Sequence, residues 1–179
     1  ASAKKSYSEA DKILGTSAQL RITDRQQTEV AIDDYIELRR TGFTSIFPVI
    51  ETRLPTKQNA LVSIIATDLL SLPISEARGD PAFDDSFDTE SWDKLVQSPY
   101  EIWVPPQTAK ELGIVSGEQI ELRDGRRLPP AIVKAQQQQG DRIFMDIGAA
   151  LDILKTDRFS YLAVGVLTPQ EHERFEMLY

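Results

Sequence analysis

Hydrophobic positions recur along this chain in short runs whose period changes repeatedly between that of a helix and that of a strand, with Gly or Pro at many of the changes. Over residues 6–14, Tyr7, Ala10, Ile13 and Leu14 fall on one helical face, and Gly15 stands where a left-handed cap belongs. Residues 19–23 alternate Leu20 and Ile22 with polar neighbours, as a strand does. The clearest predicted helix follows. Thr28 stands at its N-cap position, Glu29, Asp33 and Asp34 lie early, and Ile32, Tyr35, Ile36 and Leu38 form the apolar stripe. Arg39 and Arg40 complement its C-terminal dipole and Gly42 stops it. Two strands, 44–53 and 60–67, are then joined by the turn-rich run Pro55-Thr56-Lys57-Gln58-Asn59. Pro48 has no N–H to give a ladder, which predicts an edge or a bulge there.

Residues 75–98 lose this order. Between Glu76 and Asp93 stand seven acids and one base, with Phe83, Phe87 and Trp92 spread among them, so the segment reads as a long acidic loop (about 76–93) with aromatic anchors. Order returns with a strand at 101–104 and a helix over 107–112, opened by Pro105-Pro106 and closed by Gly113. Strands at 119–123 and 127–128 flank Asp124-Gly125, the strongest hairpin signal in the chain. A strand at 132–135 and a polar glutamine turn come next. They are followed by a strand at 142–145, a helix at 147–154 with Asp146 as N-cap, a strand at 161–167 and a last helix started by Thr168-Pro169. The outer elements resemble a split β-α-β arrangement. The predicted fold is therefore α+β: a discontinuous, porter-like subdomain (1–68 and 141–179) carrying an inserted β-rich subdomain (69–140).

Composition narrows the function. The chain has 179 residues, 41% of them hydrophobic, enough to build a core in one domain or two small interlocked ones. Twenty Lys and Arg against 28 Asp and Glu leave a net charge of −8, and no run of basic residues overrides it, which argues against nucleic acid as a partner. Cysteine is absent, so thiolate catalysis and Cys-ligated zinc are excluded. No window approaches the ~18–20 continuous apolar residues of a membrane helix. A first residue that is not Met, no signal-peptide pattern, and a terminal helix with a start signal but no stop together suggest a piece of a longer protein.

Candidate chemistry is sparse. The one histidine, His172, precedes Glu176 where a zinc-protease motif needs its second His, so it reads as a solvated helix residue. No glycine spacing matches a phosphate cradle. Gly113-Ile114-Val115-Ser116-Gly117 only superficially resembles a nucleophile elbow, because Ser116 is one position late and no strand leads into it. Asp84, Asp88 and Glu90 supply hard oxygens, but a calcium loop starting at Asp84 would need Gly at Thr89 and Glu at Leu95. A hydrolase using Asp84 and Asp88 lacks any visible means of raising one pKa. No catalytic, cofactor or metal residues are expected. Phe83, Phe87 and Trp92 are either anchors pinning the loop or a partner-binding surface.

Several stretches, taken in order, resemble a known family. They are Tyr7-Ser8-Glu9-Ala10-Asp11-Lys12-Ile13-Leu14-Gly15 leading to Leu20-Arg21-Ile22, then Phe47-Pro48-Val49-Ile50-Glu51-Thr52-Arg53-Leu54, then Ile64-Ile65-Ala66-Thr67-Asp68-Leu69-Leu70-Ser71-Leu72-Pro73. Ile102-Trp103-Val104-Pro105, Leu112-Gly113-Ile114-Val115-Ser116-Gly117-Glu118-Gln119-Ile120 and Met145-Asp146-Ile147-Gly148-Ala149-Ala150 continue the pattern. Together they resemble the extracytoplasmic core domain of MacB-type, FtsX-like ABC transporter permeases. The resemblance implies a non-enzymatic domain between two membrane helices of the bacterial inner membrane, facing the periplasm or cell exterior. It also implies a cytoplasmic ATPase subunit as partner through those helices, a periplasmic adaptor or cargo as a further partner, and mechanotransmission as the mode of action. The alternative is a freestanding extracytoplasmic small-molecule or peptide-binding module.

Overall fold

The computed structural model describes residues 2–4, 20–23, 29–68, 89–134, 141–164 and the single positions 170, 173 and 177. In chain order its elements are β1 (Ser2–Lys4), β2 (Leu20–Thr23), β3 (Val30–Ala31), α1 (Ile32–Arg40), β4 (Ile46–Pro55), β5 (Leu61–Thr67), α2 (Thr89–Val96), β6 (Ile102–Val104), α3 (Pro106–Leu112), β7 (Ala131–Val133), β8 (Ile143–Asp146), α4 (Ile147–Leu154), β9 (Arg158–Phe159) and β10 (Tyr161–Val164). The fold is α+β, with parallel and antiparallel strand pairs. Contacts divide the chain into two compact units, residues 1–50 with 156–179 and residues 51–155. The sequence reading places 51–68 and 141–155 in the outer subdomain; by contact they lie in the second unit, because β5 and β8 pair with each other and β8 pairs with β6.

In the first unit, β2 lies between β1 and β10, and β10 lies between β2 and β4, all antiparallel. One row of partners, Ala3, Ile22, Leu162 and Pro48, crosses the four strands. All four residues of β10 are buried, the pattern of a strand covered on both faces. Pro48 sits inside this pairing rather than at an edge or a bulge. The Val49 carbonyl accepts from the Ser160 N–H, so backbone alternation turns the Pro48 nitrogen away from β10, where the missing N–H breaks no bond of that ladder.

Helix α1 begins later than its capping signal predicts. Residues 30–31 pair with Arg158 and Phe159 instead, Ala31 occupies the N-cap without a side-chain bond, and the Ile32 N–H donates to the Asp157 carbonyl. Tertiary pairing therefore overrides Thr28 as the start. The charged and terminal positions follow the sequence: Asp33 and Asp34 lie in the first turn, Arg39 and Arg40 in the last, and Gly42 takes a φ of 102° just beyond; of the predicted apolar stripe Leu38 is buried, whereas Ile36 is 38% exposed. Tyr35 meets Phe159 edge-on, with ring centroids 5.7 Å apart.

In the second unit, β4 and β5 form a hairpin, β5 runs parallel to β8 with Ile64 opposite Ile143, β8 pairs with β6, and β6 runs parallel to β7. Trp103 is the centre of this unit, opposite Phe144 on one side and Ile132 on the other. Local signals hold here. Asp146 caps α4 by accepting the Gly148 N–H at 2.8 Å, Pro106 opens α3, and Gly113 closes α3 at φ 68°. The turn at Asp124-Gly125 forms, but its arms make isolated bridges, Glu121 with Arg127 and Thr56 with Leu122, rather than strands. The acidic segment needs a correction. Its end is not loop: residues 89–96 are α2, which buries Leu95 and Val96. Among the described residues, no helix is long and apolar enough to cross a membrane.

Candidate functional site

The sequence-predicted residues are only partly visible. Phe83, Phe87, Asp84, Asp88 and His172 lie outside the described residues, and Trp92 falls on α2. Ser116 is structural: its Oγ accepts the Val133 N–H at 2.9 Å, tying the loop after α3 to β7. Among the described residues, no group of three or more His, Asp or Glu is placed to hold a metal ion.

The most built polar surface is one the sequence reading did not single out, the tip of the β4–β5 hairpin in the second unit. The Thr56 N–H donates to the Ala60 carbonyl at 2.7 Å, the Ala60 N–H donates back to Thr56 Oγ1, and Asn59 takes a left-handed φ of 63°. The 121–127 loop docks against this turn. The Lys57 N–H donates to the Glu121 carbonyl and the Arg123 N–H to the Pro55 carbonyl, each at 3.0 Å, while Arg123 Nη2 donates to Asn59 Oδ1 at 2.8 Å. Lys57 Nζ stands 3.3 Å from the Glu121 carboxylate. Arg126 is held from two directions: its Nε donates to Asp124 Oδ2 at 2.6 Å and its Nη1 to the Ile153 carbonyl.

The result is a positive patch on an acidic protein. Residues 53–61 and 121–127 hold Arg53, Lys57, Arg123, Arg126 and Arg127 against Glu121 and Asp124, a net of +3 in a chain of −8. Each acid is engaged by one cation, Glu121 by Lys57 and Asp124 by Arg126. At the start of β5 the burial alternates, with Leu61 66% exposed, Val62 inside and Ser63 half-buried, before Ile64 to Thr67 are all buried. Leu61 is thus an apolar residue on an outward face beside this basic turn. A count of consecutive charges misses the patch, because Lys57 and Glu121 meet across 64 positions of chain.

Asp124 titrates below its ordinary 3.8, chiefly because its carboxylate accepts the Arg126 backbone N–H and also meets the Arg126 guanidinium. A depressed carboxylate contributes stability above its unfolded pKa and loses it as pH falls through the folded one. Asp124→Asn should therefore lower stability slightly at neutral pH, where the charged contact is present, and flatten the loss below about pH 4, so that the two proteins converge in acid. Chemical denaturation across that range checks this, and an unchanged acid limb would contradict the assigned contact.

Set against known proteins, the chain matches no protein-family model and no curated protein. Solved structures do match. Similarity to the extracellular domain of a noncanonic ABC-type transporter, YknZ, from Gram-positive bacteria spans 86% of this chain and 84% of that one, at TM-score 0.51 and 7% identity. Similarity to the periplasmic region of MacB from Actinobacillus actinomycetemcomitans spans 98% of this chain and 80% of that one, at TM-score 0.50 and 12% identity. The chain thus has an extracytoplasmic-domain fold of mixed α+β type. More particularly, it folds as a MacB-like periplasmic domain does.

Proposed function

We propose that this chain is the extracytoplasmic domain of an ABC transporter permease and works without catalysis. The observation that carries the reading is the fold: 86% and 98% of the chain is covered by similarity to domains of this kind from two transporters. A second feature fits. The first and last segments of the chain belong to one unit, 1–50 with 156–179, so a displacement applied at both ends acts on a single packed body. In such a body, movement of flanking membrane helices driven by a cytoplasmic ATPase becomes a rigid-body rotation, because packed cores shift as units rather than deform. The output is export, release of cargo or control of a partner outside the inner membrane, with an adaptor or cargo as the contact. Phe83, Phe87 and Trp92, on the acidic segment, are proposed as partner-contacting residues.

The test uses the native gene product in its own cells: carbonate extraction of membranes, then protease treatment of intact spheroplasts, followed with an antibody against this chain. Retention in the membrane pellet with cleavage from outside is the expected result. A soluble species no larger than this chain would overturn the reading and leave a freestanding binding module in its place.

A further inference from the structure

We propose that the tip of the β4–β5 hairpin, with the 121–127 loop docked on it, is a docking surface for an acidic protein segment that carries an apolar side chain among its carboxylates. The inference rests on the reading that this domain acts through partner contact, and it adds where the contact lies and what chemistry it selects. Charge complementarity is the first argument. After Glu121 and Asp124 are engaged by Lys57 and Arg126, Arg53, Arg123 and Arg127 remain, while the chain outside the patch carries a net charge of −11, the difference between −8 and +3. An acidic partner is therefore repelled from most of the surface and attracted here, which fixes where it lands as well as how fast.

Preorganisation is the second argument. The backbone of Arg123 is fixed by Pro55 and its guanidinium by Asn59, and the loop itself is held by Arg126 on Asp124 and Ile153, so one of the three remaining cations is already ordered on a fixed loop. Arg53 and Arg127 are exposed and make no side-chain hydrogen bond or ion pair among the described residues, which leaves their planar forks open to carboxylates. Leu61 separates a protein segment from a bare polyanion. An exposed leucine on the outward face beside these cations adds nothing for a phosphate polymer, but offers an apolar residue of an acidic segment a place to bury against.

The experiment measures fluorescence anisotropy of a short labelled peptide of alternating Glu and Leu titrated with the purified chain at low ionic strength. The same peptide with Gln for Glu, inorganic polyphosphate, and vesicles of phosphatidylglycerol are run beside it. Binding of the Glu peptide is expected, with none of the Gln peptide. Arg53→Glu together with Arg127→Glu should weaken it by about tenfold or more, and Leu61→Ser should weaken it several-fold. Lys110→Glu, an exposed lysine on α3 outside the patch, should leave it unchanged. No binding of the Glu peptide, equal loss with Lys110→Glu, or preference for polyphosphate or vesicles would each overturn the proposal. Because the readout is taken on the purified chain, its failure leaves the membrane-fractionation result standing, and the reverse also holds.

Discussion

Replacing Trp103 by alanine is expected to cost about 3–5 kcal/mol, the usual range for emptying a well-packed aromatic site. The residue is 1% exposed at the centre of β6, where β8 flanks it on one side and β7 on the other. Its ring meets Phe144 at 6.0 Å between centroids, and the Lys134 ammonium lies 4.9 Å above it. Strands on both sides limit how far the site can collapse after truncation, which puts the cost toward the upper part of the range. A domain with total stability of about 5–15 kcal/mol loses a large share of it in one step. Urea denaturation followed by circular dichroism reads the effect. A loss below about 1.5 kcal/mol would mean the site relaxes freely and β6 is not the rigid centre of the second unit.

Trp103 also marks the limit of what sequence pattern conveys. That residues 102–104 form a short buried strand is legible from Ile102-Trp103-Val104 between polar and proline residues. That this strand pairs with residues 131–133 in parallel and with Phe144 in the opposite sense is not, since nothing local encodes a partner some 30–40 positions away. The same division runs through the rest of the fold. Helix α4 follows its sequence because its signals are local, an Asp cap and an apolar run; its end at Lys155, which takes a left-handed φ of 48°, carries no such signal. Helix α1 departs from its sequence at the start, where the pairing of Val30 and Ala31 with β9 takes the residues Thr28 was positioned to cap. In the acidic segment, charge density hid a short apolar pattern: Trp92, Leu95 and Val96 recur at helical spacing within α2.

The candidate site was the least legible part, for a related reason. The sequence directs attention to aromatic residues in an acidic run, whereas the built surface joins two turns remote in sequence, one holding Lys57 and Asn59 and the other Arg123, Arg126 and Arg127. The elements that make it were predicted, the 55–59 turn and the Asp124-Gly125 turn among them. Their meeting depends on Thr56 and Leu122 bridging across the unit, a contact without a local signature.

The second large effect is expected at Gly148, the second residue of α4. A Cβ built there would lie 2.6 Å from the Tyr100 hydroxyl oxygen and 3.1 Å from Asp146 Oδ2, the carboxylate oxygen that caps the helix by accepting the Gly148 N–H. Gly148→Ala should therefore destabilise by about 1–3 kcal/mol through overpacking, although alanine is the better helix former. The obstruction is specific enough to reverse. Removing the hydroxyl in Tyr100→Phe leaves ring carbon Cζ as the nearest Tyr100 atom, at 3.3 Å, so the double variant should recover at least about 1 kcal/mol relative to the sum of the single changes. Additive effects would show that the clash lies with Asp146 and the cap instead. The pH dependence supplies a separate readout of the same contact. Tyr100 ionises above its ordinary 10.0, first because burial disfavours the phenolate and then because Asp146 and Asp152 place negative charge beside it. With its pKa raised on folding, the native state holds this proton longer than the unfolded chain. The contribution to stability is complete below pH 10 and falls away as pH rises through the folded pKa. Tyr100→Phe should flatten the alkaline loss of stability, and the phenolate absorbance lost in that variant should be a component that titrates above pH 10. A tyrosine titrating at its ordinary pH in the native protein would place the hydroxyl in solvent rather than against the first turn of α4.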